Sequence, residues 1–184
     1  MKILFDTTVI FSALGRKNDQ DGYRYRLANK LIEKCDELGL KKYISERTKC
    51  EFEDGWKVKN LSEDRIEEEK SLLEKFSLLP YHYGDETWNK INGKPENIES
   101  LWNNEEEDKI ATKLNKKLPG EKNKRDRGIL LDAIMNDCKF VINENWIDFD
   151  RMYEIAKSFG IEITTTKNFL ERQKLIMKGN VNTI

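Results

Sequence analysis

Apolar residues enter this chain in two alternating forms: short runs of three or four, and stripes at helical spacing. The first run, Ile3-Leu4-Phe5, ends in Asp6-Thr7-Thr8, after which Val9-Ile10-Phe11 and Ala13-Leu14 resume as a helix. Strand, polar turn, helix is the opening unit of an α/β sheet. Residues 23–38 carry Leu27, Leu31, Ile32, Cys35 and Leu38 on one helical stripe, and Gly39 stops it. Lys41 to Ile44 reads as a short strand, and Ser45 as the N-cap of a helix holding Cys50, Phe52, Trp56 and Val58. A further helix from Ser62 to about Phe76 turns Ile66, Leu72, Leu73 and Phe76 inward. Leu78-Leu79-Pro80 then reads as an edge segment, because proline cannot donate to a ladder.

Residues 92–104 are rich in Asn, Gly, Pro and Glu and read as a loop or insertion. Glu105 to Leu118 has Ile110, Ala111 and Leu114 on one face, and Pro119-Gly120 ends that helix. Lys122 to Arg127 is a basic connector. Ile129, Leu130, Ala133 and Ile134 mark a helix packed on a sheet, and Phe140-Val141-Ile142 is the clearest buried strand. A helix at 148–158, a strand from Ile161 to Thr164, a short helix around Phe169-Leu170 and a polar, fraying tail complete the pattern. The expectation is α/β: a central, mostly parallel sheet between two helical layers. One domain covers 1–174, with insertions near 16–40 and 79–124, followed by a tail at 175–184.

Composition narrows this picture. Charged residues make up 36% of the 184, but Lys+Arg 33 and Asp+Glu 34 nearly cancel. A net charge of -1 gives no global pull toward nucleic acid, so such binding needs a local patch. A chain of this length buries roughly 70% of its unfolded surface, enough for a core. No stretch of about 18 apolar residues exists to cross a membrane. No apolar leader follows Met1, because Asp6 interrupts it. Cys35, Cys50 and Cys138 lack C-x-x-C spacing, so neither a disulfide framework nor a zinc site is expected, and a reducing, cytoplasmic setting follows.

Ligands of parallel sheets bind beyond the carboxyl ends of the strands. Two apolar strands here end in acids, Asp6 and Asn143-Glu144. Clustered carboxylates repel, and a divalent cation relieves them; Mg²⁺ and Mn²⁺ favour such oxygen donors. Each acid also has a plain structural role open to it. Asp6 and Asp126 would cap helices, Glu51 would pair with Arg47 or Lys49, and Asp108 in Glu105-Glu106-Glu107-Asp108 would be a solvated helix start. Lys113, Lys116, Lys117, Lys122, Lys124, Arg125 and Arg127 form the best phosphate-binding segment, leading straight into Asp126. Tyr23-Arg24-Tyr25-Arg26 reads as a helix face or partner surface, the lone His82 supports no histidine site, and no G-x-G-x-x-G is present.

Taken in order, these segments resemble the PIN-domain nucleases. Met1 to Leu14 resembles the family's opening strand, Asp and apolar helix start. Tyr43 to Phe52 resembles the strand–Ser–helix segment whose Glu, here Glu51, is the second acid. Asp126 with Ile129-Leu130 and Ala133 resembles the helix of the third. Phe140 to Glu144, then Asp148-Phe149, resembles the strand and turn of the fourth, and Gly160 to Thr165 with Phe169-Leu170 the closing strand and helix. Asp126 and Glu144 are eighteen positions apart, which suits the family. The chain departs where the family usually has Asn (Thr8), Asp (Glu144) and Thr or Ser (Ile142).

The resemblance implies a Mg²⁺- or Mn²⁺-dependent endoribonuclease. Asp6, Glu51, Asp126 and Glu144 would be its catalytic metal ligands, with Asp108 in reserve and Asp132 and Asp148 behind it. Lys122, Lys124, Arg125 and Arg127 would bind RNA. An antitoxin protein and a homodimer are the partners it implies. The rival is a PIN-like RNA-binding or protein-interaction scaffold without activity. A haloacid-dehalogenase-type phosphatase also begins from a strand-end Asp, but needs a second Asp where Thr8 stands.

Overall fold

The computed structural model describes residues 1–15, 22–58, 61–80, 105–120, 124–144 and 152–181, with the side chains of 105–108, 124–125 and 174–181 outside that description. Five strands form one sheet: β1 (Lys2–Phe5), β2 (Lys41–Ile44), β3 (Ser77–Leu78), β4 (Phe140–Ile142) and β5 (Glu162–Thr164). The helices among the described residues are α1 (Thr7–Ala13), α2 (Tyr23–Glu37), α3 (Glu46–Val58), α4 (Glu63–Leu73), α5 (Glu105–Lys117), α6 (Lys124–Met135), α7 (Tyr153–Lys157) and α8 (Thr166–Val181).

All four strand pairings are parallel, in the order β3-β2-β1-β4-β5. The chain therefore walks outward from β1 through β2 to β3, then returns to the other side of β1 for β4 and β5. β1 and β4 flank the point where this winding reverses, with Phe5 paired to Ile142. Parallel sheets of this kind open a crevice at such a point, beyond the carboxyl ends of the strands.

The two-residue side-chain period of β1 builds both cores. Ile3 and Phe5, with Ile44 and Ile142, bury against Val9, Ile10, Leu31, Phe52, Leu72 and Phe169 from α1, α2, α3, α4 and α8. Leu4, with Val141 and Ile163, faces the other way, against Leu114, Leu130, Leu131 and Ala156 of α5, α6 and α7. Each such side chain is worth about 1.5–3 kcal/mol of burial. Both faces of the sheet are thus covered by helices.

Local signals set the boundaries. Ser45 accepts the Thr48 N–H at 3.2 Å and caps α3. Gly39 takes a left-handed φ of 62° after α2, where Leu40 N–H reaches Cys35 O at 2.8 Å. The same turn closes α6 with Asp137 at φ 54° and Cys138 N–H on Ala133 O at 2.9 Å.

Some sequence expectations change. The basic connector is helical from Lys124 onward, where the Lys and Arg residues are good helix formers. The closing helix is not short: α8 runs Thr166–Val181, carried past Lys174 by Leu175, Met177 and Lys178, which are good helix formers. Val58, the last residue of α3, is 81% exposed. The helix expected at 148–158 is seen as Tyr153–Lys157, and its start lies outside the described residues. So do the 92–104 segment, His82, Lys122 and Asp148.

Candidate functional site

Asp6 lies directly beyond β1, buried at 8% exposure. Its backbone N–H extends the β1–β4 pairing by donating to Ile142 O at 3.0 Å. Its carboxylate caps α1: Oδ2 accepts Thr8 N–H at 3.0 Å and Thr8 Oγ1–H at 2.7 Å. Capping and strand-end placement are therefore two aspects of one position.

Across the crevice, Glu144 N–H donates to the same Thr8 hydroxyl at 3.1 Å. Glu144 Oε1 accepts Thr166 N–H at 3.0 Å, at the start of α8. A carboxylate is stabilised there by the unsatisfied N–H groups and positive dipole end of a 16-residue helix. Glu144 is thus linked to Asp6 by the Thr8 hydroxyl and to α8 by its own longer arm.

A second chain of hydroxyls runs toward β2. Thr7 Oγ1 donates to Thr48 Oγ1 at 3.2 Å, and Ser45 Oγ lies 3.3 Å from the same atom. All three residues are buried. The residue after Asp6 is in this way joined to the first turn of α3. Glu51 lies three residues beyond Thr48, about one helical turn further along α3. It pairs there with Arg47, whose Nε sits 3.3 Å from Glu51 Oε1.

Asp126 is half-buried in the first turn of α6. Because α6 leads directly into β4, this turn stands on the side of the sheet where the strands end. Arg127, beside it, donates through Nη1 to Leu118 O at 2.6 Å and Gly120 O at 2.8 Å, closing the carboxyl end of α5. Asp132 lies toward the opposite edge: it follows Asp126 by about 9 Å of helix, and its charge adds to burial in raising the Cys138 thiol. The Asp108, Lys124 and Arg125 side chains lie outside the described residues.

The structure thus brings Asp6 and Glu144 to one crevice through Thr8. Glu51 and Asp126 stand on flanking helices. Among the described residues, no group of three or more His, Cys, Asp or Glu side chains is gathered around one point. The donors at the crevice are carboxylate and hydroxyl oxygens, the set preferred by hard cations. Mg²⁺ is commonly held by one or two carboxylates, with water and substrate phosphate completing its shell. Asp6 and Glu144 supply two carboxylates of that chemistry at the carboxyl end of the sheet.

Thr8, noted in the sequence only as a departure from a usual Asn, proves to be the bridge. A signal for it was available: β1, β2 and β5 are each followed within three residues by hydroxyls, at Thr7-Thr8, Ser45 and Thr165-Thr166. Compared with protein-family models, curated proteins and solved structures, the chain matches none.

Proposed function

We propose that the protein is a metal-dependent endoribonuclease working at the crevice between β1 and β4. The observation that carries this reading is the Asp6–Thr8–Glu144 linkage at the point where the sheet's winding reverses. Asp6 and Glu144 would hold Mg²⁺ or Mn²⁺, with Asp126 and Glu51 supporting from α6 and α3. The bound cation would supply Lewis acidity toward a phosphodiester and lower the pKa of an attacking water. Thr8 fixes the Asp6 carboxylate, and α8 fixes that of Glu144. Lys122, Lys124, Arg125 and Arg127 would track the RNA backbone into the crevice, Arg127 with the part of its guanidinium not turned to α5. An antitoxin and a second copy of the chain are the proposed protein partners.

A second reading is an RNA-binding or protein-interaction scaffold. The Arg47–Glu51 pair favours it, since a carboxylate tied to an arginine is a weaker metal ligand.

Asp6→Asn separates the two. Asn keeps an oxygen for the Thr8 donors, so stability should move by no more than about 1 kcal/mol. Cleavage of mixed single-stranded RNA in Mn²⁺ should fall by about 10²-fold or more, and chelation should abolish it in wild type. Equal cleavage by both proteins would remove the site. Metal-independent RNA binding with no cleavage by either would favour the scaffold.

A further inference from the structure

The core does not account for the first turn of α2. Tyr23, Arg24, Tyr25 and Arg26 are consecutive and all exposed, the tyrosines at 48% and 46%. Packing of α2 on the core begins only with Leu27 and Ala28. The turn contains no acid, although the positive end of a helix dipole favours acids and disfavours arginine. Every charge on the first two turns, at Arg24, Arg26 and Lys30, is positive. Helix stability alone does not select such a turn.

The turn is anchored, and it stands on the side of the sheet where the strands end. α2 leads into β2 at the opposite edge, where Lys41 N–H donates to Met1 O at 3.0 Å. Its 15 residues span about 22 Å, against about 13 Å for the four residues of β2. Its first turn therefore reaches beyond the carboxyl ends of the strands. Asn29 Nδ2 donates to Ala13 O and to Tyr25 O, both at 3.0 Å, tying that turn to the end of α1. A Cβ on Gly15 would meet the Tyr25 ring at 3.7 Å, and one on Gly22 would meet Arg26 Nη1 at 3.2 Å. The Tyr25 ring thus lies by Gly15, and the Arg26 guanidinium is drawn back to the helix start. From Thr7, beside Asp6, to Gly15 the chain covers about 12 Å, a few nucleotides at about 3.4 Å each.

We infer that Tyr23–Arg26 is a stacking platform for single-stranded RNA. Its tyrosine rings receive unpaired bases and its arginines the phosphates, on the strand that leads to the β1–β4 crevice. The inference rests on the RNA-binding reading above and names how the strand is held outside the crevice. Tyr23 and Tyr25 are two positions apart, about 200° around the helix, so their rings form no single apolar strip. A docking protein would bury i, i+3 and i+4 together. Here those are Tyr23, Arg26 and Leu27, with Lys30 beyond, a strip holding two cations. Separate bases ask less: each needs one ring face, with a cation near the phosphate between them.

The measurement is fluorescence anisotropy of a labelled oligouridylate with the full chain, in chelator and over a range of salt. An RNA of about 12 nucleotides spans roughly 40 Å, enough for platform and crevice together. Tyr23→Ala with Tyr25→Ala should weaken binding about a hundredfold, tenfold per ring, and leave the salt slope unchanged. Tyr23→Phe with Tyr25→Phe keeps both rings and should bind as wild type does. Arg24→Gln with Arg26→Gln should flatten the slope of log affinity against log salt by about 1.4, the increment of two single-strand contacts. Affinity for a blunt RNA duplex, whose bases are already stacked, should not change in the Ala pair. A Phe pair as weak as the Ala pair, or an equal loss for duplex, would overturn stacking. RNA affinity undiminished in the Ala and Gln pairs, with cleavage by wild type and none by Asp6→Asn, would overturn the platform and leave the crevice standing. The same undiminished affinity with self-association lost in the Ala pair would give this face to a second copy of the chain. Failure of wild type to bind RNA at all would overturn both the platform and the reading it rests on.

Discussion

Arg127 clamps a helix end and is proposed to contact RNA, and stability and binding measurements can separate the two. Its Nη1 donates to Leu118 O at 2.6 Å and Gly120 O at 2.8 Å. Carbonyls at a helix end have no intrahelical partner, so these bonds supply what α5 cannot. A bond from a charged donor is worth about 1.5–3 kcal/mol. Here two bonds share one nitrogen on a half-buried residue, so the pair together contributes about 2 kcal/mol. For a chain of this size that corresponds to a melting temperature lower by about 4–8 °C in Arg127→Ala. In urea the midpoint should fall while the m-value stays constant. Arg127→Lys should recover about half the loss, since an ammonium lacks the planar fork.

If Arg127 also contacts an RNA phosphate, the Ala variant should flatten the slope of log affinity against log salt by about 0.7, the increment of one single-strand contact. Lys124→Ala with Arg125→Ala should flatten that slope while leaving the melt in place. An Arg127→Ala protein that melts with wild type would refute the clamp. The two carbonyls would then be satisfied by solvent.

Asp137 holds a left-handed φ of 54° at the end of α6, so Asp137→Gly should stabilise the protein by about 0.5–1 kcal/mol, read as a higher urea midpoint. Burial pushes the Cys35 and Cys138 thiols up from 9.0 to about 12 and about 11. Both should resist a thiol reagent in native buffer at pH 8, where half-buried Cys50 reacts first, and all three should react in denaturant. Because the unfolded chain would release these two protons first, stability should decline as pH rises above about 9, and a flat profile to pH 11 would contradict the burial. Arg65 bonds Leu14 O at 3.1 Å and pairs with Glu69, which has no exposed surface and also accepts Trp56 Nε1 at 2.7 Å. Arg65→Ala should therefore cost about 3 kcal/mol, and adding Glu69→Leu should recover part of it in a double-mutant cycle.

How much of this was legible follows from the range of each interaction. Ile3-Leu4-Phe5 and Phe140-Val141-Ile142 announced themselves because a strand buried on both faces is a continuous apolar run. Ser45 and Gly39 were readable because caps and stops act within a few residues. The strand-end placement of Asp6 and Glu144 followed from these. The Thr8 link did not, since its partner is 136 positions away. The tie between Glu144 and α8 was hidden likewise. Nor was the second role of Arg127 visible: its positive charge suggested phosphate, whereas its geometry serves the carbonyls of the preceding helix. Asp137 escaped notice because a left-handed turn usually takes Gly.

The sheet order has a consequence in time. β1 is made first, and β2 and β3 can pair with it as they emerge. The other wall of the crevice arrives with Glu144, 136 residues after Thr8. At about 5–20 residues per second synthesis needs roughly 7–27 s to cover that gap. Thr166, which holds the Glu144 carboxylate, follows 22 residues later. A growing or interrupted chain short of that point carries Asp6 on an exposed flank of the first half-sheet. The wound order of the strands thus makes synthesis through Thr166 a precondition for closing the crevice.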